Sequence, residues 1–592
     1  MVQVIEKKAN TIFFAFRELL SLLWKNHSKY VWLSVVVCAV SGLASSVNVL
    51  IKQYFFEAVE SASNNNLRIA LGLGVFWGIF ILFTLLVQGI SDVMMEDLGI
   101  RLGGNLGRRV NQKAANIDTI CYEDIKMLNC INKAYQGVEQ SATAVRILIT
   151  LCSYYIPYFL FFAVYTYFIH PVLCIGVLAL LLPTLGGQYA RSKYYAKFED
   201  SVAPTRRLMN YYRRCIMDRE YTKETRLLGA VYFFRTLYEA ALLMFRKESW
   251  KAERRSSMVE LGIRLFSLFA YIVILVIMYY CLHKGVLGTA AFVAILTSID
   301  QTFNYMDYVG NNIGDISASI PAVVNSFFFL SLPEKSGKES AIDKHSIEFH
   351  QVSFQYPFSY EFSLKNIDLS IRQGETVAIV GANGAGKSTL AKLMLGLYLP
   401  SEGDVYIGGN NTKEVKQESI SRNCSAVFQS FQKYKMNLRN NVSISCMQKE
   451  HNDTEISSIL HDVDLEIDGR TFSEGLDTML AREFGGTDIS GGQWQRIAIG
   501  RGLYRNGSII VLDEPTAAID PIEETKIYYQ FAELSKNKTA VIITHRLGSA
   551  KIADSIIVLN NGTIDDIGTH EELISRDGLY KQLYDSQAKW YQ

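Results

Sequence analysis

The chain has 592 residues, and its 59 Lys and Arg against 58 Asp and Glu leave a formal charge of +1, which gives no global basicity for gripping nucleic acid. Hydrophobic residues make up 49% and the mean hydropathy is +0.11, yet 20% of the residues are charged. These figures fit neither an ordinary soluble enzyme nor a wholly embedded protein; they fit a membrane half joined to a soluble half, at a length that holds more than one domain. The nine cysteines are scattered with no C-x-x-C pair, so neither a disulfide framework nor a zinc site is read from them. The polar, charged start lacks a cleavable signal pattern.

Asn10 to Trp24 places Ile12, Phe13, Phe16, Leu19, Leu20 and Leu23 at helical spacing, with Arg17 and Glu18 opposite. The pattern predicts an amphipathic helix lying on the membrane surface. Six apolar runs follow, at Tyr30–Ile51, Ile69–Ser91, Val145–Ile169, Val172–Gln188, Leu261–Leu282 and Thr289–Tyr308, each about long enough to span a bilayer. Only His170-Pro171 separates the third from the fourth, which predicts a tight hairpin. Long charged segments join the second span to the third and the fourth to the fifth. They carry Arg101, Arg108, Arg109, Lys113, Lys126 and Lys133, and then sixteen Lys or Arg from Arg191 to Arg255. The other side shows only Lys52, Arg68 and Lys284, so the positive-inside rule puts the long segments, both termini and the soluble half in the cytoplasm. Their helical periodicity and scarcity of Pro and Gly predict membrane helices that run on beyond the bilayer. Short transverse elbows are expected near Tyr122-Glu123-Asp124 and Tyr221-Thr222-Lys223-Glu224, touching the soluble half. In the sixth span Asp300 and Asn304 share a helical face with Asp307, a polar stripe expected to line a cavity or to make polar contacts within the bundle, since acids inside a membrane usually face a cavity or a partner.

Leu332 to Lys338 is a polar linker, and Ile347 to Phe354 then alternates like a strand. The expected division is therefore an elbow segment at 1–27, a transmembrane domain with long cytoplasmic extensions at 28–325, a linker at 326–340 and a nucleotide-binding domain at 341–592. Within that last domain, Gly381-Ala382-Asn383-Gly384-Ala385-Gly386-Lys387-Ser388-Thr389 follows an apolar β-rich run and opens a helical pattern. This is the strand, glycine loop and helix context of a phosphate loop, in which bare N–H groups and a helix N-terminus cradle phosphate. Lys387 is expected to reach the β- and γ-phosphates and the Ser388 hydroxyl to ligate Mg²⁺. Tyr356 comes just after the first strand, where its ring could stack on adenine, and Gln429 follows another strand, where it could ligate Mg²⁺ and sense the γ-phosphate. Ser490-Gly491-Gly492-Gln493 opens a helix and forms a second anion site. The strand Ile509 to Leu512 ends in Asp513, placed to hold Mg²⁺ through water, and Glu514, placed to orient or deprotonate the attacking water. His545 ends a further strand and is placed to contact the γ-phosphate.

The ordered series resembles the ATP-binding cassette domain: phosphate loop 381–389, Q-loop Gln429, signature 489–493, Walker B 509–514, D-loop 517–520 and H-loop His545. With six spans ahead of it, the chain looks like an exporter half-transporter of that superfamily. The resemblance implies a type I exporter fold (a six-helix membrane bundle plus a cytoplasmic α/β P-loop ATPase), with ATP and Mg²⁺ as cofactors, set in the lipid of the cytoplasmic membrane. It also implies a second half-transporter as partner, expected to be a copy of itself, with each ATP held between one phosphate loop and the other chain's signature. Ile489 stands where the family has Leu, and Ala517 and Ile519 where it has Ser and Leu, which touches coupling rather than the chemical groups. Gly485-Gly486-Thr487-Asp488 before the signature and Trp494-Gln495-Arg496 after it are similar to exporters of ribosomal peptides such as lanthipeptides, of the branch without a peptidase domain. ATP-driven export of a peptide by alternating access is the expected function, with a multidrug or lipid flippase, or one half of a heterodimer, as the other readings.

Overall fold

The structure, a computed structural model, describes residues 12–61, 67–175, 198, 201–514, 538–545 and 547–588. By its internal contacts the chain divides into one unit made of Met1–Ala115 and Asn129–Leu332 and a second made of Asn116–Leu128 and Pro333–Gln592.

In the first unit, among the described residues, five helices are long and apolar enough to cross a membrane: Phe16–Glu60, Leu67–Asn116, Ile125–Ile169, Val231–His283 and Thr289–Ser331. A helix satisfies every backbone group internally, which hydrocarbon demands. Most of the remaining expected span, Val172–Gln188, lies outside the described residues; its start is seen where His170 breaks the preceding helix in an extended conformation. At 1.5 Å per residue the 50-residue helix Leu67–Asn116 is about 75 Å long, more than twice a ~30 Å hydrocarbon core. The N-terminal segment behaves differently from its expected place on the membrane surface. It is continuous with the first span through a kink at His27. Leu19, Leu22 and Leu23 are buried in a cluster with Leu98, Leu102, Leu106 and Val323. An apolar stripe is satisfied as well by protein as by lipid, and here helices of the same unit cover it.

The helix Ile125–Ile169 carries a π-turn at Leu151–Tyr155, just before Pro157, which has no N–H to give and crowds the carbonyl one turn back. At Gly42 a Cβ would lie 2.3 Å from the Tyr154 carbonyl oxygen, so only glycine lets the first helix come this close. Around this contact the Tyr154 hydroxyl pairs with Ser45 Oγ at 2.9 Å and with the Tyr305 hydroxyl at 2.7 Å, and Gln301 donates to Tyr305 at 2.9 Å. Buried hydroxyls in an apolar bundle need such partners.

The second unit contains ten strands in the described residues, β1 (Ile347–Phe354), β2 (Leu364–Ile371), β3 (Thr376–Gly381), β4 (Glu402–Ile407), β5 (Asn410–Asn411), β6 (Cys424–Val427), β7 (Ile509–Asp513), β8 (Thr539–Ile543), β9 (Ser555–Asn560) and β10 (Thr563–Gly568). An antiparallel sheet has the order β2-β1-β4-β5, and a larger one the order β10-β9-β3-β8-β7-β6. In the larger sheet β9, β3, β8, β7 and β6 run parallel, with β10 antiparallel at the edge. β7 and β8 are buried at every residue, which is why they read as unbroken apolar runs rather than as alternation. The short segment Asn116–Leu128 belongs to this unit, as expected for an elbow around Tyr122-Glu123-Asp124. Ile120 packs on its core, and the Tyr398 hydroxyl donates to the Glu123 carboxylate at 2.5 Å, with Lys392 Nζ 3.8 Å away. The linker meets the same segment: the Lys335 N–H donates to the Asn116 carbonyl at 3.3 Å. The other expected elbow forms a helix, Arg219–Leu227, within the first unit.

Candidate active site

In a parallel sheet the carboxyl ends of the strands face one way, and ligands bind beyond them where strand order reverses. β3 ends at Gly381, β6 two residues before Gln429, β7 at Asp513, and β8 two residues before His545. Four adjacent strands therefore deliver the expected groups to one edge.

They meet on one carboxylate. Gln429 Nε2 donates to Glu514 Oε2 at 2.9 Å, His545 Nδ1 lies 3.5 Å from the same oxygen, and Lys387 Nζ lies 4.0 Å from Oε1. The Glu514 side chain is only 14% exposed. Its backbone holds a left-handed φ of +46°, costly for a residue with a side chain, while its N–H is tied to the Ile543 carbonyl of β8. This conformation turns the acid out of the strand direction of Asp513. Asp513 stays buried and accepts a 3.2 Å hydrogen bond from Ser388 Oγ. Burial pushes its carboxyl above the ordinary carboxylate range, and the Ser388 hydrogen bond opposes the shift.

The loop itself is shaped by backbone that only glycine holds well. Gly386 has φ +100°, and a Cβ there would lie 2.8 Å from the Ser363 carbonyl. Ala382, Asn383 and Gly384 form the exposed crest, while Ala385 is buried and its carbonyl accepts from the Gly562 N–H. Lys387 is buried and donates to the Gly381 and Ala382 carbonyls at 3.0 and 3.1 Å. Tyr356 stands beside the loop, half-buried, with its hydroxyl 3.1 Å from Thr389 Oγ1. Its ring meets Phe354 and Tyr398 edge-on at 5.1 and 5.9 Å. Tyr398, which nothing in the sequence singles out, thus touches both Tyr356 and the elbow residue Glu123.

Ser490 caps the helix Gly491–Arg505 in a capping box: its Oγ accepts from the Gln493 N–H, and the Gln493 side chain accepts from the Ser490 N–H. Nothing lies within 4 Å of a Cβ built on Gly491 or Gly492, so the start of this helix is uncrowded. Among the described residues no hydrogen bond or ion pair links 490–493 to the phosphate loop. The D-loop, Ala517 to Asp520, lies outside the described residues. Asp300, Asn304 and Asp307 are all exposed along one face of Thr289–Ser331, in line with Asn311 and Asp315.

A family model described as "ABC transporter" matches residues 364–517. The subtilin transport ATP-binding protein of Bacillus subtilis is 30% identical over 530 residues, covering 85% of this chain and 83% of that protein. The nisin transport ATP-binding protein of Lactococcus lactis subsp. lactis is 25% identical over 578 residues, 96% of this chain and 95% of its own length. An ATP-dependent lipid A-core flippase of Haemophilus influenzae is 32% identical over 304 residues, 51% of this chain. The solved structure of a bacterial Atm1-family ABC exporter with ATP bound superposes with a TM-score of 0.77 at 20% identity, covering 94% of this chain and 99% of that one. The chain belongs to the ABC transporters. It is a multi-pass membrane exporter half-transporter with the type I exporter fold, and hydrolysis of ATP bound by its cassette drives transport. Exporters of this class work as dimers.

Proposed function

We propose that this chain is one half of a homodimer in the cytoplasmic membrane that exports a peptide, with its termini and cassette in the cytoplasm. The observation that carries the chemistry is the convergence of Lys387, Gln429 and His545 on Glu514. Glu514 orients and deprotonates the attacking water, while His545 and Lys387 meet the charge that develops on the γ-phosphate. Lys387 first exchanges its two loop carbonyls for phosphate oxygens, and Tyr356 offers its ring to the adenine.

Ser388, Asp513 and Gln429 fit Mg²⁺, a hard ion that takes oxygen donors. No cluster of three or more His, Cys, Asp or Glu among the described residues could hold a metal alone. Ser388 and the single buried acid Asp513 suit an ion that arrives with nucleotide phosphate and water, which neutralises charge on the transferring group. Ser490 and the Gly491 and Gly492 amides at the uncrowded helix start then close on the partner chain's ATP. Pairing is further supported by Leu227, Leu228 and Tyr232 at the second elbow, 87%, 70% and 78% exposed, an apolar tip that a partner cassette would cover.

The peptide reading rests on coverage: the proteins named for subtilin and nisin transport match most of this chain, membrane half included, whereas the likeness to the Haemophilus influenzae flippase spans about half. The stripe from Asp300 through Asn304 and Asp307 is proposed to line the path. Purified transporter in liposomes tests the cargo: ATPase stimulated by lanthipeptide precursors and not by lipid A or hydrophobic drugs is expected, and the reverse pattern would refute it. Orientation is checked by cysteines placed at Arg214 and at Asn65, in a background without accessible thiols. An impermeant reagent added to intact cells should label only the second; labelling of the first would overturn the topology.

A further inference from the structure

β8 carries the chain to Ile543, and the next N–H, that of Thr544, is still held by the Ile379 carbonyl of β3 at 3.2 Å. The chain then leaves the sheet at His545, whose side chain is half exposed, and enters the short helix Leu547–Ala550. One side chain spans this exit. Gln587 donates from Nε2 to the His545 carbonyl and accepts the Leu547 N–H on Oε1 at 3.0 Å. A single planar carboxamide thus makes the paired donor and acceptor contacts that a neighbouring strand would make, on both sides of position 546.

The clamp has a firm base. Gln587 lies on the helix Leu579–Ala588. That helix is seated by Tyr580, 1% exposed, in a cluster with Ala378 and Val380 of β3 and with Leu547, and Leu583 and Tyr584 pack against the same cluster. The Tyr580 hydroxyl is fixed by His570 Nδ1 at 2.7 Å. β3 is also the strand that delivers the phosphate loop. We infer that Gln587 is a positioning residue for ATP hydrolysis, holding the backbone of His545 in register with the phosphate loop through the carboxy-terminal helix. The inference rests on the proposed role of His545 at the γ-phosphate.

The competing role is a plain helix cap for Leu547–Ala550, which needs only the acceptor oxygen. Gln587→Glu separates the two, because it keeps an acceptor for the Leu547 N–H, loses the donor, and sets a carboxylate against the His545 carbonyl. In the full-length transporter in liposomes, Gln587→Ala and Gln587→Glu should each lower kcat for ATP by about tenfold, since misplacement of a reacting group by ~1 Å can cost up to ~100-fold. KM for ATP should stay within about twofold, because the binding groups are untouched. In a His545→Ala background, Gln587→Ala should cause no further loss. Wild-type turnover in Gln587→Glu, or an equal loss with and without His545, overturns the inference. His545→Ala alone at wild-type turnover would instead sink the reading beneath it. The clamp keeps its own readout: amide exchange at Leu547 should accelerate in Gln587→Ala, and unchanged exchange refutes the clamp whatever His545 does.

Discussion

In the cassette, three side chains that follow neighbouring strands close, within 4.0 Å, on the one carboxylate of Glu514, which follows the fourth. In the membrane unit, the polar groups from Asp300 to Asp315 are strung along one helix face over about 22 Å. The difference reflects what each region must recognise. Phosphoryl transfer has one transition-state shape, and a preorganised site must match it closely. A transport path, the role proposed for this stripe, has to hold its cargo and let it go, which suits polar groups that are spread and that each contribute little. Substitution in the two regions should therefore differ in kind: near all-or-none in the cassette, graded in the bundle.

The largest effect is expected at the meeting point. Glu514→Gln keeps size and a hydrogen-bonding oxygen but removes the basic charge, so turnover should fall by at least about 100-fold while ATP still binds. The trapped nucleotide should hold two cassettes together, whereas Lys387→Ala should weaken binding itself and trap no dimer. ATP affinity, hydrolysis and cassette dimerisation measured on both variants check this; near-wild-type hydrolysis in Glu514→Gln would break the comparison at its stronger end.

An intermediate effect is expected where the elbow meets the cassette. Glu123→Ala removes the acceptor of Tyr398 and the partner of Lys392. Glu123 is nearly half exposed, so solvent screening leaves about 1 kcal/mol, or roughly fivefold. That loss should appear in cargo-stimulated ATPase, with basal ATPase within about twofold. Equal loss of both activities would make the contact a part of the catalytic site rather than a joint. The smallest effect is expected in the bundle. Asp300→Asn should change transport or cargo stimulation by a few-fold and leave ATP affinity alone; unchanged transport for every cargo tried would remove Asp300 from the path.

The same contrast governs what could be read from residues alone. The phosphate loop, Asp513, Glu514 and His545 are legible because nucleotide chemistry fixes both residue type and position relative to a strand end. The left-handed turn of Glu514 is not, since neither its neighbours nor its own side chain calls for it. Tyr356 can be picked out just after β1, but its partner Tyr398 is only an aromatic after the phosphate-loop helix, and their contact is made by the fold. The stripe of Leu19 and Leu23 predicts a helix correctly but cannot name what covers it, because lipid and neighbouring helices are alike to an apolar side chain. Asn116–Leu128 is recognisable as an elbow, yet its seat on Tyr398 and Lys392 depends on long-range packing.

The π-turn at Leu151–Tyr155 makes residue number itself a structural parameter of its helix. The wide turn stores one extra residue, so everything beyond it lies about 100° from where the same count wound as ordinary α-helix would put it. Tyr158, Phe162 and Tyr165, all buried, owe their inward bearing to that offset. Winding the turn as ordinary α-helix at an unchanged residue count would swing these three rings away from their buried bearing, whereas a single-residue deletion inside the turn would preserve it. The half of this helix beyond the turn is thus indexed like a thread on a screw, indifferent to many exchanges of one apolar side chain for another and dependent on the one residue stored in the turn.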